Sequence, residues 1–330
     1  MEYRRLGRAG VKVSSLGVGC NQFGLSMDEK AAERVVHYAI DQGINLFDTS
    51  DRYQDGLSEE FLGKALKGRR SEVVLGTKFG AGGGKYSPSK ERGPNYGGGS
   101  RYYILKAVEA SLRRLQTDHI DLYQMHLPDR TTPIEETLRT LDDLVRMGKV
   151  RYLGCSNFRA FQVYEAMETS KRLNLESFVT DQEQYNVIER GIEDEMVPCY
   201  RTYGLGLLPY FPLAGGLLTG KYRRGQEIPS GSRFDGRQEY MKKSMGEDYL
   251  SDRNFDILDK LEAFAREQNH TMGDLAIAWL LSHPWVSSVI AGASKPEQID
   301  ANLKGTGWIL TPEQMAQLDA VEHKRRLRTV

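Results

Sequence analysis

Short apolar runs rich in β-branched residues alternate with longer amphipathic stretches almost from end to end of this chain. The opening segment, Met1 to Val13, reads as a β-hairpin around Ala9-Gly10. Eight further runs read as strands: Ser15 to Gly19, Ile44 to Asp48, Val73 to Lys78, Ile120 to His126, Val150 to Ser156, Phe178 to Gln182, Leu205 to Tyr210 and Val286 to Ala291. Between them, apolar residues recur every three or four positions, as in Ile104, Leu105, Val108, Leu112 and Leu115, or in Ile134, Leu138, Leu141, Leu144 and Val145. That spacing lays one stripe of a helix against a core. Thr132-Pro133-Ile134-Glu135 reads as a helix start, with a cap, a proline in the first turn and a capping-box glutamate. Strands alternating with helices imply parallel pairing through right-handed crossovers, and eight such units favour a closed (β/α)8 barrel of the α/β class over an open sheet. No proline- or serine-rich linker divides the chain, so residues 1–330 read as a single domain.

Two segments interrupt the rhythm. Gly80 to Ser100 is rich in glycine, and Leu217 to Tyr249 mixes charge with glycine, proline and serine. Each follows an expected strand, so each is expected to project as a long loop from the carboxyl-end face, and loops this long are usually lids or disorder.

Composition narrows the field further. At 330 residues the chain exceeds the roughly 250 of a plain (β/α)8 barrel, and its 39% hydrophobic content suffices for a sizeable core. Basic and acidic residues balance at 45 each, which gives no reason to expect a nucleic-acid or membrane partner. The basic stretch His323-Lys324-Arg325-Arg326 reads as a solvated chain end. Three cysteines, Cys20, Cys155 and Cys199, show no CxxC spacing, which argues against a disulfide scaffold or zinc site and suits a reducing compartment. No apolar stretch follows the first residues, and no run approaches the ~20 residues of a membrane span. The expected location is the cytoplasm.

In a (β/α)8 barrel, reactive groups sit at the carboxyl ends of the strands. The second strand ends Leu46-Phe47-Asp48, with Tyr53 shortly after; the third ends Gly76-Thr77-Lys78 and the fourth Gln124-Met125-His126. Three neighbouring strands thus offer a carboxylate, an ammonium and an imidazole, with a phenol in reach. Burying either charge alone is unfavourable, so Asp48 and Lys78 are expected as a pair. A cation beside a phenol favours the phenolate, so Lys78 is expected to lower the pKa of Tyr53 from near 10 and make it a usable proton donor at neutral pH. His126 is placed to hydrogen-bond a carbonyl oxygen. The set is an acid for a developing alkoxide with no nucleophile beside it. That suits reduction of a carbonyl by hydride, and hydride requires a cofactor because no side chain supplies it.

The remaining strand ends read as that cofactor's seat. Gly154-Cys155-Ser156-Asn157-Phe158 and Gln182 offer hydroxyl and amide groups for a carboxamide. Pro209-Tyr210-Phe211-Pro212-Leu213 offers an aromatic face, and Ala291-Gly292-Ala293-Ser294-Lys295 leads into a helix start that suits a phosphate.

The stretches Gly43 to Ser50, Val74 to Phe79, Asp118 to Asp129, Gly148 to Phe158, Leu208 to Tyr222 and Ile290 to Asn302 resemble, in order and spacing, those of the aldo-keto reductase family over nearly the whole chain. The resemblance implies a TIM barrel with an N-terminal hairpin and a catalytic tetrad: Tyr53 as acid/base, Lys78 and Asp48 as its tuners, His126 orienting the carbonyl. It implies NADP(H) as cofactor, with Ser156, Asn157 and Gln182 at the nicotinamide carboxamide and Tyr210 stacked on the ring. Pro212, Leu213, Gly215, Lys221 and Gly292 are implied as further cofactor contacts, and Ser294, Lys295, Gln298 and Asn302 as contacts around the adenosine phosphate and adenine. Two positions depart from the pattern. Leu127 stands where members often carry a tryptophan, and Ala301 where an acidic residue often precedes the final asparagine. The expected partner is a small-molecule carbonyl substrate, with homo-oligomerisation left open.

Other motifs weigh less. Gly215 to Lys221 matches GxxxxGK, but Tyr222 stands where a P-loop needs Ser or Thr. Gly17-Val18-Gly19 lacks the third glycine of a dinucleotide fingerprint. Cys155 reads as structural filler, and His37, His119, His270 and His283 have no metal-ligand spacing. Two rival functions stay open: a Schiff-base enzyme with Lys78 as nucleophile, and a cofactor-binding accessory subunit that senses redox state for a partner.

Overall fold

The computed structural model describes residues 1–81, 93, 95–235 and 249–321. The glycine run at 82–84, residues 236–248 of the second expected lid and the basic tail at 323–326 lie outside the described residues.

An antiparallel hairpin, β1 (Tyr3–Arg5) and β2 (Lys12–Ser14), precedes the barrel. Eight strands then pair in parallel: β3 (Leu16–Gly19), β4 (Leu46–Asp48), β5 (Val74–Phe79), β6 (Ile120–Met125), β7 (Val150–Ser156), β8 (Phe178–Gln182), β9 (Gly206–Leu207) and β10 (Val289–Gly292). They run in the order β10-β3-β4-β5-β6-β7-β8-β9. The two ends meet: Leu207 N–H donates to the Trp285 carbonyl, and Ile290 N–H donates to that of Pro209, at 2.8 and 3.0 Å. The sheet therefore closes into the expected (β/α)8 barrel.

Helices α1 (Glu29–Asp41), α2 (Leu57–Ala65), α3 (Arg101–Leu115), α4 (Ile134–Arg146), α5 (Ala160–Leu173) and α6 (Met196–Tyr203) connect the earlier strands. Helices α7 (Asp252–Glu267) and α8 (Met272–Leu281) precede β10, and α9 (Pro296–Thr306) and α10 (Pro312–Asp319) follow it. The stripes read from periodicity are buried: Ile104, Val108 and Leu115 on α3, Leu138, Leu141 and Leu144 on α4. Among the described residues no helix is long and apolar enough to cross a membrane.

Three local expectations need correction. The seventh strand is only Gly206–Leu207: beyond it the Leu208 and Tyr210 N–H groups still donate to the Asp181 and Glu183 carbonyls, but Pro209 has no N–H for the neighbour on its other side. The eighth begins at Val289, since Val286 and Ser287 instead bond to Leu207 and close the barrel. The capping box before α4 does not form. Pro133 itself occupies the cap position with no side-chain bond, and the Thr132 hydroxyl donates to Asp129 Oδ2 at 2.7 Å.

The barrel interior is layered. Leu46, Val74, Leu122, Leu208 and Ile290 fill the amino-end half together with Leu6 and Val13 of the hairpin, which plugs that end. Gly7 makes the plug possible: at its φ of +57° a Cβ would stand 2.1 Å from the Val179 carbonyl oxygen. Further along β4, β5 and β6 the inward positions turn polar, toward the carboxyl end of the barrel.

Candidate active site

Strand side chains alternate with a period of two. Above Leu46 the next inward residue on β4 is Asp48; beyond Val74 and Gly76 on β5 comes Lys78; above Leu122 on β6 come Gln124 and then His126. Lys78 and Asp48 are 0% and 3% exposed. Lys78 Nζ donates to Asp48 Oδ2 at 2.5 Å and to the Thr49 carbonyl at 2.8 Å. The other carboxylate oxygen accepts the side-chain amides of Gln124 and Gln182 at 2.9 and 3.0 Å. A buried charge survives only when paired and hydrogen-bonded, and every oxygen of Asp48 is so occupied. Gln124 fits because β7 offers Gly154 beside it: a Cβ there would lie 2.6 Å from Thr180 Oγ1 and 3.0 Å from Gln124 Cγ.

Tyr53 enters from the segment after β4. The turn Tyr53–Gly56 carries Gln54, Asp55 and Gly56 at φ of +48°, +55° and +95°. Consecutive non-glycine residues in the left-handed region are costly, and such strain collects at functional sites. The turn sets the Tyr53 ring against Lys78, whose Nζ lies 5.2 Å from the ring centre. The ring of His126 meets that of Tyr53 edge-on, centres 6.0 Å apart. The structure thus brings together all four residues expected at the centre.

Electrostatics correct one expectation. Burial pushes the Tyr53 phenol up, Lys78 pulls it down, Asp48 raises it, and the net shift is upward. Lys78 was expected to win; desolvation of a phenolate outweighs it. Burial also opposes the Lys78 charge, but Asp48 and Tyr53 hold its pKa above the ordinary lysine value. His126 is pushed well below its usual range by burial, with Lys78 and Arg52 adding to the effect. At neutral pH the centre therefore holds a protonated phenol, an ammonium and a neutral imidazole.

The residues expected at a carboxamide form one network beside that centre. Ser156 Oγ donates to the Gln182 carbonyl at 2.7 Å, and Asn157 Nδ2 donates to Ser156 Oγ and to the His126 carbonyl at 2.9 and 3.1 Å. The Tyr210 hydroxyl donates to Asn157 Oδ1 at 2.8 Å. Gln182 directs its amide N–H groups at Asp48 and Gln124. Pro212 is buried, and Leu213 is half-buried at the start of a short turn, Ala214–Thr219, in which Gly215 and Gly216 adopt positive φ. Gly292 ends β10. Ser294 donates its N–H and hydroxyl to Gln298 Oε1 at 2.7 and 3.0 Å, Lys295 caps α9, and Asn302 is buried on it. This last group stands apart from the central four.

Sequence reading missed Arg233. Burial lowers its pKa, and burial together with Arg233 lowers that of Lys221. Among the described residues neither has a carboxylate partner; Arg233 lies 5.0 Å from the Phe211 ring centre and within electrostatic reach of Tyr53. Arg233 and Lys221 are thus two mutually repelling cations, the first of them near Tyr53. A lone arginine in a charged loop gives no sequence signal for this. Gln124 was legible in principle, as a polar residue on the inward side of an apolar strand. Cys155 is buried, donates to Asp181 Oδ1 at 3.4 Å, and has its thiol pushed well up by burial and Asp181; it packs, as expected. Among the described residues no cluster of three or more His, Cys, Asp or Glu gathers as a metal site.

The closed (β/α)8 barrel thus carries a phenol, an ammonium–carboxylate pair and an imidazole at its carboxyl-end mouth. Comparison places it in a class: the profile of the Aldo/keto reductase family matches residues 15–323, and the chain belongs to that family of oxidoreductases. It is 40% identical to a probable voltage-gated potassium channel subunit beta of Oryza sativa subsp. japonica, over all of this chain and 99% of that one. It is 38% identical to a protein of the same description from Arabidopsis thaliana, over 97% and 96% of the two chains. It is 37% identical to the uncharacterized oxidoreductase YrpG of Bacillus subtilis (strain 168), again over 97% and 96%.

Proposed function

We propose that residues 1–330 form one catalytic domain that reduces aldehydes or ketones with NADPH, Tyr53 acting as the proton donor. The observation that carries this reading is the buried Lys78–Asp48 pair set against a phenol that burial keeps protonated. The dinucleotide would supply hydride from its nicotinamide ring.

This chain's own residues do the rest. As negative charge develops on the carbonyl oxygen, Tyr53 gives up its proton to it, and Lys78 stabilises the phenolate left behind. An alkoxide is far more basic than a phenolate, so the transfer is downhill even from a phenol with a raised pKa. Asp48 keeps Lys78 charged; His126, neutral, donates a hydrogen bond to the same oxygen. General acid catalysis of this kind contributes about 10²–10⁴-fold. The Gln182 oxygen, Ser156 and Asn157 would hold the carboxamide, Tyr210 would cover the ring, and Lys221 with Arg233 would meet the phosphates. Lys295 at the start of α9 would meet a 2′-phosphate.

The Schiff-base alternative requires a neutral lysine, and the pairing of Lys78 with Asp48 weighs against it. A second reading, a cofactor-binding accessory subunit, is supported by the relatives described as channel subunits beta. A panel of aldehydes and ketones followed by NADPH consumption, with borohydride added in parallel, separates the three. Turnover without a trapped adduct supports the reductase, trapping on Lys78 supports the Schiff base, and tight NADPH binding without turnover supports the subunit.

A further inference from the structure

A neutral histidine donates through one ring nitrogen only, so the role given to His126 depends on where its single proton sits. The answer lies in the segment between Asp48 and Tyr53. His126 Nδ1 is 3.1 Å from Ser50 Oγ. That oxygen also lies 3.3 Å from Asp51 Oδ1 and accepts the Arg52 N–H at 3.2 Å. Ser50 has one hydroxyl proton and two lone pairs, and Arg52 occupies one of the pairs. One proton and one lone pair remain for two neighbours, so Ser50 must donate to one and accept from the other.

We propose that Ser50 is a positioning residue that sets which nitrogen of His126 carries the proton, and that Asp51 on its far side selects the setting. With Asp51 ionised, Ser50 donates to the carboxylate and accepts from Nδ1–H, so Nε2 presents a lone pair. With Asp51 protonated on Oδ1, Asp51 donates to Ser50, Ser50 donates to Nδ1, and Nε2–H is free to donate to a carbonyl oxygen. The first state suits acceptance of an alcohol proton; the second suits reduction. The proposal rests on the reductase reading for its catalytic consequence, not for the relay itself.

The surroundings of Asp51 place the choice near neutral pH. Its other oxygen accepts the Tyr103 hydroxyl from α3 at 2.9 Å, which leaves Oδ1, the one facing Ser50, to take the proton. Burial, with Glu59 of α2 adding, pushes the carboxyl up to about 7, against the opposing pull of Tyr103, of Arg114 at the end of α3 and of Ser50. Tyr123 of β6 also feels Asp51, and Tyr96 packs on Tyr103. On the other side, His126 faces Lys78, Arg52 and Tyr53, and stays neutral throughout this range.

The test is nitrogen NMR of histidine-labelled full-length protein from pH 5.5 to 8.5, with the His126 signals assigned by their loss in His126→Asn. The wild type should change from the Nε2–H to the Nδ1–H form as pH rises through about 7. Asp51→Asn, whose amide can donate to Ser50 while its oxygen keeps Tyr103, should hold the Nε2–H form at every pH. Ser50→Ala should abolish the pH-linked change, and Ser50→Thr should restore it. A wild-type tautomer that ignores pH, or that switches alike in Ser50→Ala, overturns the proposal. In parallel, kcat for carbonyl reduction should fall about tenfold between pH 6 and 8, the change in protonated fraction for a single group titrating near 7, and should stay flat in Asp51→Asn. A tautomer switch in a protein that reduces no carbonyl would sink the reductase reading and leave the relay standing.

Discussion

The Lys78–Asp48 pair is asymmetric, and the asymmetry can be measured. Lys78 is fully buried, and besides Asp48 its hydrogen-bond partner is a dipole, the Thr49 carbonyl, with the Tyr53 ring centre 5.2 Å away. Asp48, without Lys78, would keep the amide N–H groups of Gln124 and Gln182. Removing one member of a buried pair destabilises by about 3–5 kcal/mol, because the survivor is left uncompensated. Asp48→Asn should therefore fall at the upper end of that range and Lys78→Met at the lower. With roughly 2.1 cal/mol/K of unfolding entropy per residue, 330 residues give about 0.7 kcal/mol/K, so the Tm losses should span roughly 4–7 °C. The double variant should lose less than the sum of the singles by ~2 kcal/mol or more, read by urea unfolding at pH 7. Asp48→Asn should also regain stability relative to wild type as pH rises from 7 to 10. Its Lys78 would carry a depressed folded pKa, so the unfolded chain would bind more protons. Additive single effects, or a Lys78→Met variant clearly worse than Asp48→Asn, would refute the reasoning.

Three further outcomes follow from the same geometry. Lys295→Ala should weaken NADPH several-fold more than NADH by fluorescence titration; equal losses would remove Lys295 from the 2′-phosphate. Arg233→Leu should weaken NADPH about tenfold or more, as expected for a charged hydrogen-bond partner, and should flatten the salt dependence of binding; an unchanged Kd would free Arg233 of that role. Asp181, which burial pushes up to about 7, and Glu183, pushed well up by burial and Asp181, bind protons in the folded state that the unfolded chain releases near 4. The stabilisation from Asp181 is complete below about pH 4 and lost as pH rises through 7. Asp181→Asn should therefore shed part of the wild type's fall in unfolding free energy over that window, on the order of a few kcal/mol, and parallel curves would contradict the shift.

The barrel was legible because alternation and helical stripes set each element's type. Asp48, Lys78 and His126 were legible because an apolar strand that ends in an ionisable group is visible in sequence. What failed did so for local physical reasons. Pro209 shortened a strand, and Pro133 took the cap that Thr132 was expected to hold. The direction of the Tyr53 shift depended on how much water burial removes, which no spacing encodes. The contact of Ser50 with His126 and the approach of Arg233 to Tyr53 are likewise products of three-dimensional proximity: Ser50 meets His126 across 76 positions of chain.

The central claim is that the phenol of residue 53 hands a proton to a carbonyl oxygen beside a bound nicotinamide. It is tested most directly by single-turnover kinetics on Tyr53→Phe preloaded with NADPH and mixed with a reactive aldehyde. The account predicts NADPH affinity within a few-fold of wild type and a hydride-transfer rate lower by about 10²–10⁴-fold. A variant that binds NADPH and oxidises it at the wild-type rate would contradict it.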